Sequence, residues 1–263
     1  MPTSWTRQAV LNTAAAWHWT PYDAETRTSE HAVVVISAGQ GTVNRAHGLP
    51  AADLVAHVRD LVGGGVKIIW PTHEATEPAD LPAALVAAGA TVEENLDVIA
   101  YELAFGLPDL AVPADVDVQR VDTAEVLADV YPVTAAVFHQ PPPTQVFRDA
   151  EAEELRAQVD AGDERKIYRY LAYSDGAAIG HAGTTLEEEV AKLWGGSVLE
   201  DYRGRGAYRA LLHARLVEAA ARGAELALVK ARAGTSSPIL RRAGFTAYGR
   251  EVHYALAPSE ESA

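Results

Sequence analysis

Residues 190–222 constrain the fold most, because a strand, a glycine turn and a helix follow one another there without interruption. Val190 to Leu199 is apolar enough for a buried strand, and Gly204 and Gly206 lie just beyond it. The segment Ala207 to Arg222 has the periodicity of an amphipathic helix. Its apolar face consists of Tyr208, Leu211, Leu212, Leu216 and Ala219. This succession predicts a sheet with helices packed against it.

The turn between this strand and helix has the properties of an anion site. Gly204 and Gly206 can adopt positive φ and let the backbone approach a ligand closely. The amides that follow would point outward at the positive end of the helix. Arginine side chains suit phosphate oxygens, and three occur here: Arg203, Arg205 and Arg209. The turn therefore predicts a pyrophosphate site, although glycine turns also occur where no phosphate binds.

Composition excludes several classes of function. The net charge of −14 over 263 residues argues against a nucleic-acid partner, which needs a basic surface. With no cysteine, the chain has no disulfide, thiolate metal site or cysteine nucleophile. The nine histidines show no metal-ligand spacing, so we expect no metal site. No apolar run is long enough to cross a bilayer and no secretory signal is recognisable, so we expect a cytoplasmic location without membrane contact.

The chain divides into two halves. Residues 106–117 contain Pro108 and Pro113 and have the composition of a connector. The halves end alike, because a short helix closed by glycine (Gly89 or Gly244) precedes a strand with a Tyr-x-Leu pattern (at Tyr101 or Tyr254). This echo indicates a duplicated unit. We predict domains at 1–112 and 113–263.

The second half resembles the GNAT family of acyl-CoA N-acyltransferases. The similarity rests on the strand with Val198, the turn from Arg203 to Gly206, the long helix, and residues 239–245, which resemble the family's helix ending in Gly-Phe. The first half resembles a truncated copy of the same fold, as in tandem GNAT proteins. Its best candidate turn, at residues 39–44, lacks arginine. We therefore expect an α+β chain with a GNAT fold, a mostly antiparallel sheet flanked by helices, in the second half and a structural α/β first half.

The resemblance implies a site for acetyl-CoA. The amides of Val198 and Leu199 would hold the pantetheine and the acyl carbonyl where two strands separate. A primary amine, on a small molecule or a protein, would attack the thioester directly without a covalent enzyme intermediate. The pyrophosphate would be held by Arg203, Gly204, Arg205, Gly206, Ala207, Tyr208 and Arg209.

Two departures from the family pattern affect this site. Tyr208 occupies a position that is small in the family, where its ring would either narrow the phosphate site or pack beneath the helix. Leu240 occupies the position of the usual catalytic tyrosine. The identities of the catalytic acid and base stay open. A histidine near its ordinary pKa could accept an ammonium proton. The candidates are His181, Glu200, Tyr254 and His139.

Other features bear on the acceptor and on assembly. We expect the segment from Phe138 to Asp149, together with Trp194, to select the acceptor. The acidic run at 151–154 favours a solvated helix face over the alternative, a cation-binding site. A monomer or a homodimer fits the two halves. Two alternative functions remain: an acyl-CoA-binding sensor or scaffold without turnover, and a phosphate- or nucleotide-binding protein.

Overall fold

Eleven strands and eight α-helices form within residues 5–258, the part of the chain that the computed structural model describes. The helices are α1 (Arg7–Ala15), α2 (Ala51–Val62), α3 (Leu81–Ala87), α4 (Ala124–Ala128), α5 (Val130–Phe138), α6 (Gln145–Asp160), α7 (Ala207–Ala221) and α8 (Ser236–Arg242). The strands are β1 (Glu25–Thr28), β2 (Ala32–Ser37), β3 (Gln40–Ala46), β4 (Lys67–His73), β5 (Thr91–Glu102), β6 (Asp117–Arg120), β7 (Ile167–Ser174), β8 (Ala177–Glu187), β9 (Val190–Val198), β10 (Leu226–Arg232) and β11 (Thr246–Leu256).

The chain forms two compact units that are not contiguous in sequence. The first unit contains residues 5–10, 99–230 and 239–247, and the second contains residues 11–98, 231–238 and 248–258. Strands β5, β10 and β11 each contribute residues to both units. The boundary predicted between residues 112 and 113 separates the two halves of the sequence, not these two compact units. It therefore stays a prediction.

The first unit has a mixed sheet. Strands β6, β7, β8 and β9 pair antiparallel in that order, and β9 pairs parallel with β10. Alternate residues of β7 face opposite sides, as strand geometry requires. Tyr168 and Tyr170 pack with Leu211 of α7, whereas Leu171 packs with Val133 and Leu155 of α5 and α6. Helices therefore cover both faces of a mixed sheet, which confirms the α+β class.

The second unit repeats part of this order. β2 pairs antiparallel with β3, β3 pairs parallel with β4, and α2 connects β3 to β4. In the first unit, β8 likewise pairs antiparallel with β9, β9 pairs parallel with β10, and α7 connects β9 to β10. The turns differ, because α2 begins after Pro50 and the seven preceding residues contain a single arginine, Arg45. The repeat matches the truncated copy that the sequence predicts.

The same helix ending occurs once in each unit. The Gly89 and Gly244 amides donate to residues 86 and 241, and the next amides reach the carbonyls of Leu85 and Leu240, at 2.9 and 3.0 Å. Both glycines have φ near +90° (88° and 92°), as this type of helix cap requires. Leu85 and Leu240 are both fully buried. Leu240 is therefore a core residue of this cap, like its counterpart Leu85.

Candidate functional site

Strand β9 runs past the end of its pairing with β10. The parallel register covers three pairs only, from Val190 with Leu226 to Lys192 with Leu228. β9 nevertheless continues to Val198, paired on its other edge with β8. From residue 193 onward, the edge of β9 that faces β10 is therefore open to a ligand. We call residues 193–198 the open edge.

A bulge interrupts β9 within the open edge. His181 lies opposite Ser197 and Gly183 lies opposite Trp194, so β9 has two residues, Gly195 and Gly196, where β8 has one. Gly195 has a φ of 64°, which favours glycine. Bulges of this kind bend a strand and redirect its side chains, and they recur beside active sites.

The backbone amides of Leu199 and Val198, both predicted to contact a ligand, point in opposite directions. The amide of Leu199 donates to the carbonyl of Ile179 at 2.9 Å, so it is already used, and its predicted role in holding a ligand does not fit the structure. Because hydrogen bonding alternates along an antiparallel pair, the preceding amide, that of Val198, points away from β8 toward the open edge. Val198 therefore stays a predicted contact.

The glycine turn leads directly into α7. Gly206 is the N-cap residue of the helix, with a φ of 92°, and Gly204 has a φ of 78°. No side chain caps this helix within residues 5–258, and the first helical bond runs from the Ala210 amide to the Gly206 carbonyl. The amides of the first turn are therefore available to an anion, as at other helix N-termini.

Three arginines surround the same turn. The Nε of Arg203 donates to the carbonyl of Val198 at 3.2 Å, and the Arg205 guanidinium lies 5.2 Å from the centre of the Tyr202 ring. Arg203 and Arg205 are exposed and Arg209 is half-buried. In the described part of the chain, no carboxylate pairs with any of the three, so their charge is available to a phosphate.

Tyr208 adopts the packed alternative. Its ring joins the cluster between α7 and the sheet. A Cβ placed on Gly196 would lie 3.0 Å from the ring's Cε2, which shows how closely the phenol approaches the bulge. The Arg215 guanidinium lies beside the Tyr208 phenol. Burial lowers the pKa of Arg215, whereas this contact favours the charged form of the guanidinium. The side chain does not obstruct the turn.

The candidate acids and bases lie in different parts of the fold. His181 is buried at the bulge, and Glu200 is exposed in a short 3-10 helix, where its carbonyl accepts the amide of Arg203. His139 is exposed at the end of α5. Tyr254 belongs to the second unit and packs against its core, where it lies opposite Trp70. These roles stay predictions.

Burial changes the chemistry expected of His181. Its side chain is 4% exposed, and desolvation, reinforced by the charges of Arg169 and Arg215, lowers its pKa to about 3. The imidazole is therefore neutral at physiological pH and a weak base. This differs from the expectation of a histidine near its ordinary pKa.

The sequence interpretation missed a buried charged cluster beside His181. Arg169 on β7 pairs with Glu151 and Glu154 of α6 at 3.2 and 3.0 Å, and its guanidinium lies 5.5 Å from the centre of the Trp194 ring. Glu151 is buried, so the acidic run is not a uniformly solvated face, and of its carboxylates only Glu153 is exposed. The three-residue spacing of the two paired glutamates places them on one helix face and could have indicated this.

Two absences hold over residues 5–258. Within this range, no helix combines the length and the apolar character that a membrane span requires. Over the same residues, histidine and carboxylate side chains nowhere gather in a group of three that could hold a metal ion.

The open edge ends at an uncapped helix N-terminus lined with arginines, an arrangement that suits a long ligand with an anionic end. A family model described as the acetyltransferase (GNAT) family matches residues 131–238, which contain β9, the turn and α7. The match identifies a GNAT acetyltransferase domain over these residues. A comparison with curated proteins found no match.

Solved structures extend the likeness beyond this domain. A GCN5-related N-acetyltransferase from Kribbella flavida is 15% identical, with a TM-score of 0.65 and 98% of each chain covered. One from Sphaerobacter thermophilus is 16% identical, with a TM-score of 0.65, covering 87% of this chain and 81% of the other. A tandem GNAT protein from the clavulanic acid biosynthesis pathway is 17% identical, with a TM-score of 0.59 and coverages of 95% and 89%. The GNAT fold thus extends over nearly the whole chain.

Proposed function

We propose that this protein is an N-acetyltransferase that moves an acetyl group from acetyl-CoA to a primary amine. One observation carries the proposal: the open edge of β9 leads directly to the uncapped N-terminus of α7 and its three unpaired arginines. A long ligand with amides at one end and phosphates at the other matches this order. The match of residues 131–238 to the GNAT family model supports acyl transfer.

Each part of the site has a role in this proposal. The amides from Ala207 to Arg209 and the guanidiniums of Arg203 and Arg205 bind the pyrophosphate. The Val198 amide extends the sheet by pairing with the pantetheine arm. Both substrates are bound together, so the amine attacks the thioester directly and the rate gain comes mainly from proximity and orientation.

A second function follows from Leu240. This residue is fully buried in the cap of α8 and offers no proton donor to a leaving thiolate. A protein that binds acyl-CoA without turnover, as a sensor or scaffold, has the same cofactor site and would not need a donor there. Release of free CoA distinguishes the two functions.

The experiment is a pair of measurements on the full chain. Acetyl-CoA at about one hundred times its Kd should stabilise the protein by about 3 kcal/mol, whereas ATP should produce a smaller shift in Tm. Arg205→Ala should weaken acetyl-CoA binding by about tenfold. The matched control is Arg45→Ala, an exposed arginine on β3 that should leave affinity unchanged. Equal stabilisation by ATP, or equal affinities for the two variants, would overturn the proposed site.

Turnover is measured separately as release of free CoA from acetyl-CoA in the presence of primary amines. Release that depends on an amine supports the transferase. If acetyl-CoA binds at the turn and no amine releases CoA, the sensor or scaffold is the better description.

A further inference from the structure

The Glu151 cluster, which consists of Glu151, Glu154, Arg169, His181 and Trp194, has an unbalanced buried carboxylate. Glu151 is 8% exposed. Burial raises its pKa, and the nearby Glu154 raises it further, while Arg169 and the Tyr131 hydroxyl oppose the shift. Arg169 and Tyr131 offset the burial of Glu151 only in part, so its pKa stays above the ordinary value. Such a carboxylate favours a further cation or a proton.

His181 supplies an independent observation that points to a ligand. Both ring nitrogens are buried and make no hydrogen bond within the described residues. Because an imidazole with two unpaired polar atoms is costly in a protein interior, it needs a partner that supplies a donor, an acceptor or both. A neutral imidazole can give one hydrogen bond and accept another.

The cluster adjoins the open edge. Trp194 is the second residue of β9 beyond the last pair with β10, and its ring centre lies 6.1 Å from that of His181. A Cβ on Gly195 would lie 3.6 Å from the His181 ring, so the ring abuts the bulge itself. Exposure falls from Gly196, which is exposed, through the half-buried Gly195 and Trp194 to the buried His181. The cluster therefore lies next to a solvent-exposed part of the bulge.

We infer that the Glu151 cluster binds the acceptor amine and that Glu151 takes a proton from its ammonium group. This inference rests on the proposed transferase function. One ammonium proton passes to the Glu151 carboxylate, and the free amine forms a C–N bond with the thioester carbonyl carbon. As the C–S bond breaks, the electron pair stays on sulfur, which takes a second proton from nitrogen. Glu151 then returns its proton to water.

The charges also select a class of acceptor. The groups that act on Glu151 are Tyr131 on α5, Glu154 on α6 and Arg169 on β7. Further out, Arg148 acts on Tyr131, and both Arg169 and Arg215 act on His181. Arg169 is already paired with two carboxylates and lies against the Trp194 ring, so its charge is already used. An acceptor that has a carboxylate next to its amine would place like charge against Glu151. We therefore infer a preference for amines without that carboxylate.

The test compares Glu151→Gln with Glu153→Gln, which changes an exposed carboxylate on the same helix. Glu151→Gln should lower kcat/KM for the amine by about 100-fold at neutral pH, remove the acid limb of its pH profile, and leave acetyl-CoA binding unchanged. Glu153→Gln should behave like the wild type. Equal activity of the two variants, with acetyl-CoA bound, would overturn the role of Glu151 while leaving the transferase intact.

A second measurement uses the wild-type protein and does not depend on a variant that folds. Phenethylamine and phenylalanine, and likewise histamine and histidine, differ in one carboxylate. The member without the carboxylate should have the higher kcat/KM in each pair. A preference for the amino acids, or CoA release by none of the four from a protein that binds acetyl-CoA, would overturn the inference. Loss of acetyl-CoA binding itself would instead overturn the proposed function.

Discussion

Gly206 lies directly against Pro113, so that a Cβ added to the glycine would stand 2.8 Å from the proline Cγ. This contact joins the connector before β6 to the N-cap of α7. The glycine is therefore required for two reasons: its φ of 92° and the lack of space beside it. Only the first applies to Gly204, because a Cβ there would meet nothing within 4 Å.

This difference predicts unequal effects of two alanine substitutions. Gly204→Ala should cost about 1 kcal/mol of unfolding free energy, because alanine is strained at positive φ. Gly206→Ala should cost about 2–3 kcal/mol, since Pro113 or the turn must also move, and should weaken acetyl-CoA binding more. Urea unfolding and calorimetric titration measure both effects. Equal losses for the two variants would contradict the steric role of Pro113.

The lowered pKa of His181 predicts a pH-dependent contribution to stability. With a folded pKa of about 3, the unfolded chain binds the proton more readily, so stability is full above the ordinary imidazole pKa and falls as pH decreases toward 3. Between pH 7.5 and pH 5 the wild type should lose about 2 kcal/mol more than His181→Gln. Urea unfolding at both pH values provides the comparison, and parallel losses would show that His181 is not buried in its neutral form.

Removing Arg169 should lower the stability of the protein, because Glu151 loses its paired cation. Arg169→Met should cost about 3 kcal/mol or more at pH 8, because a buried carboxylate loses its cation. The pKa of Glu151 would then lie further above its unfolded value, so the loss should shrink as pH falls and the carboxyl group becomes protonated. The double variant Arg169→Met, Glu151→Leu should recover most of the stability at pH 8. A double variant no more stable than the single one would argue against this pairing.

The matched leucines of the two helix caps give a further test. Leu240→Tyr should lower stability by about 2 kcal/mol without raising the rate of acetyl transfer, because the larger side chain and its hydroxyl enter a packed core. Leu85→Tyr, in the corresponding cap of the second unit, should cause a similar loss. A faster Leu240→Tyr enzyme with undiminished stability would show that this position faces the reacting groups.

Local signals predict the second half of the chain well. The helix expected over 207–222 is Ala207–Ala221, and the strand expected over 190–199 is Val190–Val198. Gly206 and Gly223 flank the helix, and both elements have strong apolar patterns. The helix expected over 123–138 is instead two helices, α4 and α5, which meet at Asp129. Such a break is hard to see in a continuous apolar pattern.

Strands with mixed composition were missed. β1 (Glu25–Thr28) and β6 (Asp117–Arg120) are polar, and each forms through pairing with a neighbouring strand. β3 includes residues 40–44, which the sequence suggested only as a candidate turn. Pairing partners distant in sequence decide these cases.

The sequence predicts one part of the candidate site and not the other. The turn from Arg203 to Arg209 can be predicted because its residues are consecutive and each suits an anion. The Glu151 cluster draws one residue or a pair of residues from each of four elements, so only the fold brings it together. The bulge at Gly195 similarly needs the register of β8 to be recognised.

The gap that begins beyond Lys192 also affects how the ligand-free protein behaves in solution. Backbone groups left unpaired along a strand can template pairing with any extended chain. A pantetheine arm on the open edge would satisfy the Val198 amide and block such pairing. We therefore expect the protein to aggregate more readily without acetyl-CoA than with it, and the Val198 amide to exchange its hydrogen more slowly once the ligand is bound.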